Sequence, residues 1–363
     1  MARLDKSKLD ASPISAVDLF CGAGGLTHGL LQAGIRVEAG IDLDPFAEHA
    51  YVTNNASARF LRWDISRKYS PSIAKLFSGN KIRLLAGCAP CQPFSKLTNG
   101  IKRHRSWDLL DNFARFIESI KPELVTMENV PELAQRGREV LDTFLKTLER
   151  CRYNVDWRVV NCTEYGAPQS RRRLVLLASR LGPITIPQGR YNSPEQWRTV
   201  RQAIGALPSI NAGDQHPDDR LHVAALLSPL NAKRIRATPH DGGTQRDWPP
   251  KLRLACHQRA SGARYKAIYG RMWWDKPAPT MTTLCNGIGN GRFGHPDQDR
   301  AITLREAALL QTFPSSYEFW EPTREVNRKA VTRMIGNAVP PELARSLGVA
   351  LLEHVRSINS PQP

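Results

Sequence analysis

The sequence predicts an α/β protein: a doubly wound, largely parallel sheet domain with a second, smaller and irregular domain inserted before the chain's last helix. Three observations predict it. Short apolar runs alternate with amphipathic stretches from about Ser12 to Gly182. The first run breaks at once into a glycine-rich turn, Cys21-Gly22-Ala23-Gly24-Gly25, that opens a helix. Beyond about Ile186 the alternation stops, and Pro, Gly, Trp and basic residues dominate. The first domain is expected over 12–182 and again over 328–363, and the smaller one over 183–327. At 363 residues and 41% hydrophobic composition, the chain can bury a sizeable core.

Taken in order, Ile14 to Phe20 reads as a strand and about Leu26 to Ala33 as a helix, with the glycines between them where backbone must approach a ligand closely. The spacing is not G-x-G-x-x-G, which disfavours a pyrophosphate dinucleotide. A second strand, Arg36 to Ile41, ends in Asp42, twenty residues after Gly22, where an acid takes a ribose diol. Asp64, in Arg62-Trp63-Asp64-Ile65, sits at another strand end. Singly, each acid reads as a helix cap or a solvated charge. Together, beside a glycine turn, they favour an adenosyl ligand.

The apolar run Ile82 to Ala86 leads into Gly87-Cys88-Ala89-Pro90-Cys91-Gln92-Pro93-Phe94-Ser95. Prolines on both sides of Cys91 rule out strand or helix there, so its thiol is presented on a rigid turn at a strand end. The stretch Lys96 to Arg105 carries Lys96, Lys102, Arg103, His104 and Arg105 with no acid, which suits a nucleophile working on a polyanion. Cys88 and Cys91 also form a C-x-x-C, readable as a redox pair or half a zinc site. No second close pair completes such a site, and no metal is expected.

A helix over Asp108 to Ile120 places Leu109, Leu110, Phe113, Ile117 and Ile120 on one stripe. The buried strand Leu124 to Met127 then ends in Glu128-Asn129, and a carboxylate there is costly unless used or paired. A helix around Arg138 to Arg150, a strand near Trp157 to Asn161 and a strand Leu174 to Ser179 follow. Ahead of the last comes Gln169-Ser170-Arg171-Arg172-Arg173, where Arg171 and Arg173 share a face in extended backbone; alone, they read as a phosphate-facing patch. The helix expected to run to about Val355 starts from Arg333 to Pro341, with Pro341 in its first turn.

Net charge is +17 with a sequence pI near 9.9, pointing to nucleic acid or another anionic surface. Residues 186–280 hold 15 basic against 7 acidic residues, a net of +8. Lys233, Arg234, Arg236, Arg246, His257, Gln258, Arg259 and Arg264 are its candidate DNA contacts. Seven scattered cysteines suggest a reducing compartment. The first thirteen residues are polar and no stretch nears 18 apolar residues, so a cytoplasmic protein outside any membrane is expected.

Asp18-Leu19-Phe20-Cys21-Gly22-Ala23-Gly24-Gly25, Pro90-Cys91-Gln92, Glu128-Asn129-Val130, Gln169-x-Arg171-x-Arg173 and Gly336-Asn337-Ala338-Val339-Pro340 occur in that order. The set resembles the DNA cytosine-5 methyltransferases of the bacterial restriction-modification or orphan type, over nearly the whole chain except the recognition region. Asp275 to Thr280 and Arg300 to Pro314 agree with it. The resemblance implies a Rossmann-like S-adenosylmethionine-dependent methyltransferase domain plus a target-recognition domain, the latter centred on about 186–270. It implies methyl transfer to C5 of a cytosine flipped out of duplex DNA, through a covalent bond from Cys91 to C6.

By the same resemblance, Glu128 is the acid group, Arg173 a partner of the cytosine O2 and Arg171 a supporting arginine. Phe20, Gly22, Gly24 and Gly25 line the cofactor pocket, and Asp42 takes the ribose hydroxyls. Leu43 lies against the adenine, where many relatives have Trp. Asp64 and Ile65 meet the adenine edge, Leu109 the cofactor's apolar flank, and Asn337 and Val339 its amino-acid end. Ser95, Lys96, Lys102, Arg103 and Arg105 join the DNA contacts, Asn129 braces the site, and duplex DNA lies in a basic cleft. The expected protein is a monomer, with a cognate restriction endonuclease as a possible separate partner. An RNA cytosine methyltransferase and a catalytically silent DNA-binding relative remain as alternatives, the second disfavoured by intact Cys91, Glu128 and Arg173. A nicotinamide dehydrogenase fails on the glycine spacing.

Overall fold

The computed structural model describes residues 6–66, 73–90, 107–259 and 267–359. In chain order its helices and strands are α1 (Lys6–Asp10), β1 (Ile14–Leu19), α2 (Gly25–Ala33), β2 (Arg36–Asp42), α3 (Ala47–Asn54), β3 (Arg59–Arg62), β4 (Ile82–Gly87), α4 (Trp107–Ile120), β5 (Leu124–Asn129), α5 (Arg138–Arg150), β6 (Asn154–Asn161), β7 (Gln169–Ser170) and β8 (Arg172–Ser179). Then come α6 (Val200–Ile204), β9 (Gln215–His216), β10 (Asp219–Val223), α7 (Pro229–Arg236), α8 (Ala255–Gln258), β11 (Ala278–Pro279), α9 (Leu304–Leu310), α10 (Arg328–Asn337) and α11 (Pro341–Asn359). They divide into two compact units, one of Met1–Tyr165, Arg172–Arg190 and Ala338–Pro363, the other of Gly166–Arg171 and Tyr191–Asn337.

The first unit is built on a sheet that, among the described residues, has the strand order β3-β2-β1-β4-β5-β8-β6. Its pairs from β3 to β5 are parallel, while β8 runs antiparallel to both β5 and β6. The order reverses direction at β1 and β4, and ligands of open α/β sheets gather outside the carboxyl ends of strands at such a switch point. β1 and β5 are buried along their whole length, as strands covered on both faces must be. Their apolar side chains pack with Leu110, Phe113, Ile117 and Ile120 of α4 and with Leu141, Phe144 and Leu148 of α5. The helix α11 closes the unit against α2. A Cβ on Gly29 would stand 2.4 Å from both Ala344 Cβ and the Pro341 carbonyl oxygen, so the two helices meet where only glycine fits.

β5 runs on through Glu128 and Asn129, so the acid lies inside the strand and not beyond its end. The terminal region forms two helices, because Pro340 and Pro341 cannot continue α10 and Pro341 starts a new one. Of these, α10 belongs to the second unit and only α11 to the first, which moves the expected boundary at 328 to Ala338. Residues 166–171 likewise go with the second unit.

The second unit has little regular structure, and its loop carbonyls are bonded by buried arginines. Arg271, fully buried, donates to the carbonyls of Thr238, Ile235, His295 and Gln298 at 3.0, 2.9, 3.1 and 2.6 Å, and pairs with Asp299. Arg300 grips Glu306 with both terminal nitrogens at 2.7 Å. A guanidinium offers five donors in a fixed fork, which is what irregular backbone with unpaired carbonyls requires. Burial pushes the neighbouring His295 imidazole down to about 4, so it sits neutral beside Glu306.

Candidate active site

Two adjacent strand ends in the first unit assemble the chemistry. In the parallel pair β4–β5, Gly87 stands beside Met127, which brings Cys88 next to Glu128. In the antiparallel pair β5–β8, Glu128 faces Val175, and Arg173 lies two residues earlier on the same face of β8. The Glu128 carboxylate is 3% exposed and held from two sides. Arg173 Nε lies 2.9 Å from Oε1 as an ion pair, and the Cys88 thiol donates to Oε2 at 2.9 Å. Asn129 donates its amide to the carbonyl of Ala89 at 3.2 Å, tying the end of β5 to the turn before Cys91.

A second feature lies at the end of β1. Phe20, Gly22 and Gly24 all take left-handed backbone, with φ of 58°, 50° and 91°. For Phe20 that is strained, and at Gly22 a Cβ would meet nothing within 4 Å, so the turn leaves open space against its backbone. The Gly22 N–H donates to Asp42 Oδ2 at 2.8 Å, and the Asp44 N–H to Oδ1 at 2.9 Å. Burial pushes the Asp42 carboxyl up, opposed by these backbone donors. Leu43, beside it, is 60% exposed. An open glycine cradle, an oriented carboxylate and an exposed apolar side chain together fit a sugar-linked aromatic ligand. Asp18, fully buried at the end of β1, accepts from Thr27 Oγ1 at 2.7 Å, and its Oδ1 has no hydrogen-bond partner among the described residues. Burial pushes this carboxyl up to about 7.

The other expected residues divide. Ile65 and Val339 are buried, Leu109 is half-buried on α4, and Gly25 begins α2. Asp64 Oδ1 is taken by the backbone and hydroxyl of Ser66, at 3.0 and 2.6 Å. Asn337 is exposed at the end of α10, in the second unit. Arg171, at 1% exposure, donates to the carbonyls of Met281 and Gly336 at 2.9 and 3.0 Å within the second unit.

Arg234, expected among the DNA contacts, is instead packed inside the unit: its guanidinium is buried, donates to the Leu252 carbonyl at 3.1 Å and stacks 5.4 Å from both the Trp248 and Tyr269 rings. Lys233, Arg236, Arg246 and Arg259 are exposed, and Arg236 lines a cavity of about 760 Å³ with His240 and Asp297. His257 and Gln258 lie on α8, their side chains outside the description. Cys91, Ser95, Lys96, Lys102, Arg103, Arg105 and Arg264 lie outside the described residues. Among the described residues no group of three metal-ligating side chains gathers, and no helix is long and apolar enough to cross a membrane. Cys88 and Asp18 were not expected as site residues. The signal for Cys88 was its place one residue past a strand that neighbours β5.

Residues 14–353 match the family model for C-5 cytosine-specific DNA methylases. The chain belongs to that family. It is 46% identical over 349 residues to the Type II methylase M.HgiDII of Herpetosiphon aurantiacus, covering 96% of this chain and 98% of the relative. With the Type II methyltransferase M1.BsuMI of Bacillus subtilis (strain 168) it shares 31% identity, over 96% and 83% of the two chains. Among solved structures it resembles a prophage-encoded DNA modification methyltransferase of E. coli, with TM-score 0.70, 21% identity and 94% and 99% coverage. Schizosaccharomyces pombe Dnmt2 follows at TM-score 0.58 and 18% identity, covering 94% and 99%. These structural likenesses show the shared Rossmann-like methyltransferase fold. The protein is thus a DNA cytosine-5 methyltransferase of a family that takes its methyl group from S-adenosylmethionine.

Proposed function

We propose that this enzyme methylates cytosine within one short duplex sequence, with Cys91 as nucleophile and Glu128 and Arg173 as the groups that hold the target base. The observation that carries the assignment is the buried Glu128 carboxylate near the end of β5, paired with Arg173 through one oxygen and bonded by the Cys88 thiol through the other. S-adenosylmethionine supplies a methyl group on a sulfonium, an electrophile that cytosine C5 alone attacks poorly. The Cys91 thiolate adds to C6 while Glu128 holds a proton at N3, so the electron pair of the C5–C6 bond becomes available at C5. After the methyl is on C5, a water removes the C5 proton and the C6–S bond breaks. Its electron pair returns to sulfur, and the N3 proton returns to Glu128. Arg173 keeps Glu128 in place and donates toward the base's O2.

The Gly22–Gly24 turn would cradle the cofactor, with Asp42 on the ribose and Leu43 under the adenine. A leucine offers area but no ring stacking, so adenine is held there by burial alone. Target recognition is assigned to 186–270, with Arg236, Arg246 and Arg259 as described cationic contacts. The flanking basic residues 96–105 are assigned to the flipped strand. The Type II names of the relatives support a cognate restriction endonuclease as a separate partner, and the enzyme is taken to work as a cytoplasmic monomer. Bisulfite sequencing of DNA from a methylation-free host expressing the chain tests the reading. Protected cytosines in one recurring context are expected, and unmodified DNA from a host holding folded, cofactor-binding protein overturns it.

A further inference from the structure

Glu128 must be fixed in place and must also accept and release a proton, and its two partners differ in how they respond. Arg173 meets Oε1 as an ion pair, and a guanidinium that keeps its proton attracts that oxygen fully only while the carboxylate is charged. The Cys88 thiol donates to Oε2 at 2.9 Å, but sulfur also accepts. When Oε2 carries the proton, its O–H can turn to the same sulfur, and the contact survives with its direction reversed. Both oxygens are otherwise enclosed, since Glu128 is 3% exposed and water is not freely at hand to replace a lost partner.

We infer that Cys88 is a positioning residue for the methyl-transfer reaction, whose thiol holds Oε2 of Glu128 in both of its protonation states. The inference rests on the reading of Glu128 given above. Cys88 is not a second nucleophile in this role, and it needs neither a disulfide nor a metal.

The test compares Cys88→Ala, Cys88→Val and Cys88→Ser in the full-length protein with duplex DNA and S-adenosylmethionine. Ala removes the partner, and Val does so while keeping bulk, which covers the case of Ala weakening the fold. Ser restores a group that both donates and accepts. Loss of one hydrogen bond to a charged group predicts a kcat about tenfold lower in Ala and Val. KM for DNA and cofactor should stay within about twofold, and Ser should recover most of kcat. A kcat in Ala and Val equal to wild type overturns the inference, as does a Ser variant no better than Val, which would mark a packing role. Glu128→Gln, run alongside, separates the two readings. If it retains turnover, the role of Glu128 itself fails; if it is inactive while Cys88→Val is fully active, only the role of Cys88 fails.

Discussion

Glu128 and Arg173 form an ion pair with little exposure on either side, and removing one partner leaves a buried charge uncompensated. Arg173→Ala should therefore lower unfolding stability by about 3 kcal/mol in urea titrations, in addition to abolishing turnover. Cys91→Ser should abolish methyl transfer while DNA retention in a gel-shift assay persists, because an alcohol is a far weaker nucleophile than a thiolate. Asp18 gives a pH signature. Its folded-state value of about 7 lies above the ordinary 3.8, so its contribution to stability is complete below about 3.8 and is lost as pH rises through 7. Asp18→Asn cannot ionise and still offers an oxygen to Thr27. Its stability relative to wild type should rise by up to about 4 kcal/mol between pH 4 and pH 7, measured by chemical unfolding across that range. Glu128 was legible in the sequence as a carboxylate ending an apolar strand. The burial of Arg234 was not legible, because charge in a sequence reads as solvent-facing. Here loops without ladder partners draw guanidinium groups inward.

At the scale of elements, the pairing of α2 with α11 limits what Gly29 can become. Alanine gains about 1 kcal/mol of helix propensity, but overpacking costs about 1–3 kcal/mol, and here the clash includes a backbone oxygen that cannot rotate away. The clash should win. Gly29→Ala is expected to lower Tm by several degrees in a thermal melt and to weaken cofactor binding, since the Gly22–Gly24 turn leads directly into α2. The strands and long helices of the first unit were readable, because period-2 and period-3.6 patterns survive where one core organises them. The contact of Cys88 with Glu128 was not. It depends on which strands become neighbours and in what register, and Cys88 and Glu128 lie forty positions apart in the sequence, a pairing no local pattern encodes.

For the whole molecule, specificity is assigned to one span and chemistry to another. Exchanging residues 186–270 for those of a relative should move the methylated sequence, read by bisulfite sequencing, and leave the identity of the modified atom unchanged. A methylated sequence that stays the same displaces recognition from that span. The irregularity of the second unit was visible in its composition. Its internal arginine network was not, because the sequence of a loop states its donors but not which carbonyls they will reach.

The seam between α2 and α11 also bears on how the chain is made. On the ribosome, α2 emerges early, whereas its partner appears only after every other described element has been translated. During that interval the face around Gly29 has no cover, and the second unit is synthesised in the meantime. The first unit therefore cannot complete its packing until α11 has been made, and nascent chains depend on that helix to hide a sticky surface. A chain released before residue 341 would present that face to its neighbours, an aggregation hazard created by the order of synthesis.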